Sequence, residues 1–159
     1  MIDGSIIRAH QHAAGAVGGQ DKQALGRSCG GFSTKIHVKV DALGLPLKFE
    51  LTAGQAQEIT MADQLFDNEF CKYMLADRGY DSNNFRNNLV ANGVQAVIPT
   101  KINRLTQIEH DIHIYKERNI VERFFNRIKH FRRIATRYDK TSIMFMGSLV
   151  MIGIILWLK

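Results

Sequence analysis

Apolar and polar positions along this chain repeat with two different periods, and the change from one to the other marks out its elements. In STKIHVKVD, Thr34, Ile36, Val38 and Val40 alternate with Lys35, His37, Lys39 and Asp41, the sign of a strand with one buried face. DALG supplies a turn. LPLKFEL then places Leu45, Leu47, Phe49 and Leu51 on one side with Lys48 and Glu50 on the other, and Pro46 is tolerable so near a strand start. A hairpin is expected here. Residues 1–9, with Ile2, Ile6 and Ile7, read as a short strand, and residues 10–31 as irregular structure rich in Gly, Ala, Gln and His. Residues 58–69 read as a helix with Met61, Leu65 and Ala62 inward. KYMLAD is a short apolar strand ending on Asp77. A turn and a helix follow, capped by Asp81 or Ser82 and ended at Gly93. QAVIP is another short buried strand, and residues 100–114 are a polar connection.

The period becomes helical in YKERNIVERFFNRIKHFRR, residues 115–133. At about 100° per residue, Tyr115, Arg118, Glu122, Lys129 and Arg133 share a sector of about 60°, while Ile120, Val121, Phe124, Phe125, Ile128 and Phe131 form an apolar stripe across the helix. One reading of the polar face is a solvated charged surface, steadied by the i,i+4 pair of Arg118 and Glu122. A second is a face on which a carboxylate and several cations meet a common ligand. The order strand, hairpin, helix, strand, helix, strand, helix, helix fits an α/β domain with a mixed sheet flanked by helices.

Charge changes this picture. The formal charge is +6. Residues 115–140 hold nine Lys/Arg against three Asp/Glu, and the rest of the chain holds twelve of each. The whole excess sits in the helical region, which points to a polyanionic partner. Arg132, Arg133, Arg137 and Lys140 would track phosphates. Cys29 and Cys71 lack metal-site spacing and suit a reducing cytoplasm. His110 and His113, without a third close ligand, read as surface loop residues, and His10 and His12 as loop or DNA contacts. The apolar run from Ile143 to Leu158 falls short of the roughly 20 residues of a spanning helix, so a buried C-terminal helix is expected rather than a membrane anchor.

The acidic residues supply candidate chemistry. Phosphoryl transfer on nucleic acid commonly uses divalent metals held by carboxylates that converge from separate elements. Asp3 lies in the first strand, Asp77 at the end of a buried strand, and Glu122 opposite its helix's apolar stripe. Asp77 could equally be a turn former, and Asp81 reads as a helix cap.

Tyr115-x2-Arg118-x3-Glu122-x6-Lys129 matches, without a gap, the YREK signature of bacterial insertion-sequence transposases with a DDE active site. DRGYD, residues 77–81, resembles the segment around their second catalytic aspartate, and IDGSIIRAHQHAAGA the segment around the first. GRSCGGFSTKIHVKVDALG and VERFFNRIKHFRRIATRYDKT are similar to the same group, insertion-sequence family five. The resemblance runs through nearly all 159 residues. It implies a single catalytic domain over residues 1–159 with a ribonuclease H-like sheet. Asp3, Asp77 and Glu122 would hold Mg²⁺ or Mn²⁺, and Tyr115, Arg118 and Lys129 would contact the DNA backbone.

The activity implied is hydrolysis at transposon ends followed by strand transfer into target DNA, by a homodimer in the bacterial cytoplasm at the nucleoid. Because the sequence starts two residues before Asp3, an N-terminal DNA-binding domain and the start of the first strand are expected to be missing. Asp3 would then be mobile, and the product of an upstream reading frame would be a partner. A DNA-binding regulator without catalysis, and a ribonuclease H-type or repair nuclease, are the competing readings.

Overall fold

The computed structural model describes residues 1–28, 30–67 and 71–159. Its first element, β1 (Ile2–Ala9), is followed by a 3-10 turn (Gln11–Ala13), a short α1 (Gly19–Lys22) and β2 (Gly26–Ser28). The expected hairpin is present as β3 (Gly31–Val40) and β4 (Pro46–Ala53). A 3-10 turn (Glu58–Met61) and α2 (Ala62–Phe66) come next, then β5 (Tyr73–Leu75), a 3-10 turn (Arg78–Tyr80), α3 (Asn83–Ala91) and β6 (Gln95–Val97). The helical half comprises α4 (Ile112–Tyr115), a 3-10 turn (Lys116–Arg118), α5 (Asn119–Lys129) and α6 (Arg132–Ala135). The two-residue β7 (Thr136–Arg137) and α7 (Ser142–Trp157) end it.

β3 organises the main sheet. One edge pairs antiparallel with β1, Asp3 opposite Val38, and the other with β4 and, at its N-terminal end, β2. β7 runs parallel to the far end of β1, at Arg8 and Ala9. β5 and β6 form a separate parallel pair. Two apolar clusters cover the two faces. Ile7, Ile36, Val38 and Val40 meet Val121, Phe124, Phe125 and Ile128 of α5 together with Phe145, Leu149, Ile152 and Leu156 of α7. Ile2 meets Leu65, Phe66, Met74, Tyr80, Phe85 and Leu89. The result is a mixed α/β domain whose curled sheet is flanked by helices, compatible with a ribonuclease H-like arrangement.

Several expectations change. β1 occupies the residues expected of it but is fully held: it lies inside the sheet, Asp3 is 7% exposed, and the N-terminal ammonium donates to the Val40 carbonyl. Strand β3 is buried on both faces rather than one, which encloses Lys35, His37 and Lys39. They remain tolerable because Lys35 donates to the Ala56 carbonyl and His37 hydrogen-bonds Thr52. The helix expected over 58–69 is a 3-10 turn and a single α turn ended by Asp67 in the left-handed region, and positions 68 and 69 lie outside the described residues, as does Cys29. The loop reading of 10–31 missed α1 and β2.

The long helix expected over 115–133 is divided. Its first turn is capped by the Asp111 carboxylate, which accepts from the backbone of His113 and Ile114. It tightens to 3-10 geometry at Lys116–Arg118 and stops where Phe131 turns extended (φ −79, ψ 108). Arg133 therefore lies on a separate helix and does not share the face of Tyr115 and Glu122. Within α5 the stripe behaves as the pattern required: Val121, Phe124, Phe125 and Ile128 are buried.

α7 buries Phe145, Leu149, Ile152, Gly153 and Leu156, and Trp157 Nε1 donates to the Pro46 carbonyl. Gly153 admits the Phe49 and Pro46 side chains, whose carbons would lie 3.3 and 3.4 Å from a Cβ there. Ile143, Met151 and Leu158 are exposed. Among the described residues no helix is long and apolar enough to cross a membrane.

Candidate active site

Strand parity decides where Asp3 points. It alternates with Ile2 and Gly4 and shares a side of β1 with Ile7, the side packed on α5. There its carboxylate meets Arg118. Arg118 Nη2 donates to Asp3 Oδ2 at 3.0 Å, and Nη1 donates to Glu122 Oε1 at 2.5 Å. One guanidinium thus spans two carboxylates from elements more than a hundred residues apart. Arg118, at the end of the 3-10 turn, and Glu122 are one turn apart, and packing of the apolar stripe on the sheet sets the start of α5 beside β1, within reach of Asp3. The Asp3 side chain is 10% exposed, that of Arg118 16% and that of Glu122 56%, so the bridge runs from a buried acid to a half-exposed one.

Asp77 arrives from the other direction, two residues past β5. It caps the 3-10 turn Arg78–Tyr80, with Oδ1 accepting from the Gly79 backbone at 2.8 Å. The turn-former and ligand readings are thus compatible: one oxygen holds the turn while the side chain stays half-buried. Burial raises the Asp3 pKa, Arg118 opposes that rise, and the nearby charge of Asp77 adds to it. Two acids that repel in a poorly solvated place favour the arrival of a cation.

Tyr115 is half-buried at the rim, edge-on to His110 with ring centres 5.2 Å apart. Burial raises its phenol pKa, with Arg118 opposing and Asp77 and Glu122 adding to the rise. Lys129 is exposed, its ammonium 5.9 Å from the Phe125 ring centre. Arg132 is exposed on α6, and Arg133 is exposed but paired with the Asp139 carboxylate. Arg137 is not a surface residue: it is fully buried, donating to Thr34 Oγ1 at 2.6 Å and to the Asp139 carbonyl at 3.0 Å. The phosphate-tracking reading of Arg137 is therefore withdrawn; its charge is spent inside the fold. Asp81 does not cap α3, whose N-cap is Ser82. It accepts from Arg86, Arg104 and the Lys101 backbone.

Among the described residues no three carboxylate, imidazole or thiol side chains converge closely enough to enclose a metal ion as they stand. The donor chemistry nevertheless suits a hard divalent cation. All the candidate ligands are oxygens, and Arg118 already places positive charge between two of them. Glu58, read from sequence only as a helix start, also reaches this region: its pKa is raised by burial, by Asp77 and by Asp3. Only its separation from other acids in sequence concealed it.

Comparison with known proteins identifies the family. The family model described as the transposase DDE domain matches residues 1–154. A protein named as a transposase for insertion sequence element IS6501 of Brucella ovis is 35% identical over 130 residues, 80% of this chain and 99% of that relative. A protein named as a transposase for insertion sequence element IS402 of Burkholderia cepacia is 30% identical over 119 residues, 67% of this chain; the match covers 54% of that relative, about half its length. No solved structure matches the chain. With the family model matching it almost throughout, this chain belongs to the transposase DDE domain family and is similar to bacterial insertion-sequence transposases.

Proposed function

We propose that this chain carries the catalytic domain of an insertion-sequence transposase that hydrolyses a phosphodiester at a transposon end and joins the resulting 3′-hydroxyl to target DNA. The observation that carries the reading is the Asp3–Arg118–Glu122 bridge beside Asp77. Asp3, Asp77 and Glu122 would hold Mg²⁺ or Mn²⁺. When bound, such ions lower the pKa of the attacking oxygen and stabilise the leaving one.

The chain's own groups would do the rest. Arg118 suits a phosphate bidentately, while Lys129 neutralises one as a point charge. Tyr115 at the rim can donate to a phosphate or stack on a displaced base. Arg132 and Arg133 extend the cationic track along the backbone. In the first step water displaces the 3′ oxygen at phosphorus. In the second the freed 3′-hydroxyl displaces a bridging oxygen of the target strand, its proton passing to solvent. Handling two element ends together calls for two copies of the chain on DNA, at the nucleoid. An upstream-frame product would be a further partner, and the YREK signature of insertion-sequence family five is the closest description of its motif.

Glu122→Gln tests the reading. The variant is expected to bind element-end DNA within about twofold of the parent yet lose Mg²⁺-dependent cleavage and strand transfer by at least about a thousandfold, measured on labelled duplexes with and without an upstream-frame product. Undiminished cleavage would sink the three-carboxylate assignment. Cleavage without joining would favour a nuclease, and binding without cleavage by every form a regulator.

A further inference from the structure

Glu58 opens the 3-10 turn after β4 and packs over Gly4, on the face of β1 opposite Asp3. A Cβ at Gly4 would lie 3.1 Å from Glu58 Cγ and 3.3 Å from Oε1. The other oxygen, Oε2, stands 2.5 Å from where a Gly79 Cβ would be, and Asp77 Oδ1 stands 2.9 Å from the same point. The two carboxylate oxygens are therefore no farther apart than the sum of those distances. Two glycines keep this space open. Gly79 needs no left-handed backbone, so the glycine matters there for room rather than for conformation.

Glu58 is poorly compensated. Its ion pair with Lys35 is 3.5 Å long, and Lys35 makes a shorter bond, 2.7 Å, to the Ala56 carbonyl. Beside these acids lies Tyr80, fully buried, with a hydroxyl that has no hydrogen-bond partner among the described residues. A buried hydroxyl left without a hydrogen bond is costly. Glu58, Asp3 and Asp77 are the acids whose charge acts on it, so it lies within electrostatic reach of all three.

We propose that Glu58 is a fourth carboxylate of the metal site, facing Asp77 across a space that takes a hard divalent cation, with the Tyr80 hydroxyl completing the hydrogen bonding around it. Mg²⁺ ligand oxygens sit about 3 Å apart when adjacent and about 4 Å apart when opposite, given bonds of about 2.1 Å. Both spacings fall within the limit set at Gly79. The inference rests on the metal-dependent reading of the site, but its test needs neither DNA nor turnover.

Mn²⁺ binding to the metal-free protein is followed by the electron paramagnetic resonance signal of free Mn²⁺, with thermal melting alongside. Glu58→Gln and Asp77→Asn are each expected to weaken binding about tenfold or more, while Asp21→Asn, on exposed α1, leaves it unchanged. Glu58→Gln is also expected to raise the metal-free Tm, because it relieves repulsion by Asp77, and to shrink the Tm gain on adding Mn²⁺. Tyr80→Phe should lower Mn²⁺ affinity severalfold without lowering the metal-free Tm. A fall in metal-free Tm for Glu58→Gln, or failure to fold, would make Glu58 a structural partner of Lys35 and overturn the proposal. Unchanged affinity in Glu58→Gln alongside loss in Asp77→Asn would overturn it while leaving the active-site reading standing. Unchanged affinity in Glu58→Gln, Asp77→Asn and Glu122→Gln would bring down both.

Discussion

His37 shows how one residue records its surroundings. Its Nε2 hydrogen-bonds Thr52 at 2.8 Å, its Nδ1 is buried without a partner among the described residues, and burial, helped by Lys35, lowers its pKa from 6.5 to about 4. Glu50 stands opposite it on β4 and Gly4 opposite it on β1. The folded form thus keeps the ring neutral while the unfolded chain takes up a proton below pH 6.5. This contribution to stability is complete above that pH and is lost as the pH falls toward 4, at about 1.4 kcal/mol per unit. Urea unfolding should show the parent losing about 2 kcal/mol more than His37→Gln between pH 6.5 and 5. Equal losses would contradict the neutral buried ring. Arg118 presents the complementary case, a half-buried cation whose two bonds to carboxylates offset its desolvation. Its raised pKa, with burial opposed by Asp3, agrees.

The element that matters most is the divided helix. Had it continued through residue 133, Arg133 would have joined Lys129 on the face of Glu122. The extended Phe131 instead sends Arg133 onto α6, where Asp139 takes its guanidinium. Lys129 stays on α5, two turns beyond Glu122 and about 10 Å along the axis, with its ammonium in solvent. Lys129→Ala is therefore expected to weaken element-end DNA binding about fivefold to tenfold, and Arg133→Ala about twofold or less, in a filter-binding titration at fixed salt. The reverse order would mean that α6, not α5, follows the backbone. Asp77 belongs to the same scale: a strand end and a 3-10 turn fix its carboxylate, so its placement follows from local backbone geometry.

At the scale of the molecule, a sheet sealed on both faces leaves the proposed site at one end of β1, bordered by the cationic helical half. With Arg118, Lys129 and Arg132 on DNA phosphates, the logarithm of binding affinity should fall against the logarithm of salt with a slope of about −3. A slope near zero would remove the backbone track.

Much of this was legible beforehand because local periodicity reports which face of an element is buried. The β3–β4 hairpin, the α5 stripe, the Arg118–Glu122 neighbourhood and the placing of Asp77 at a strand end all follow from spacings of two to seven residues. Tertiary structure alone decided the remainder. Burial of the second face of β3, enclosure of Arg137 and the two-residue β7 depend on which distant segments come to lie alongside, and a single strand's pattern holds no record of them. The reach of Arg118 to Asp3 across 115 positions and the approach of Glu58 to Asp77 over Gly79 are of the same kind. The sequence determined which residues could carry charge toward a common face. Only the docking of α5 beside β1 decided which of them meet, because carboxylates and guanidinium groups interact strongly only within a few ångströms.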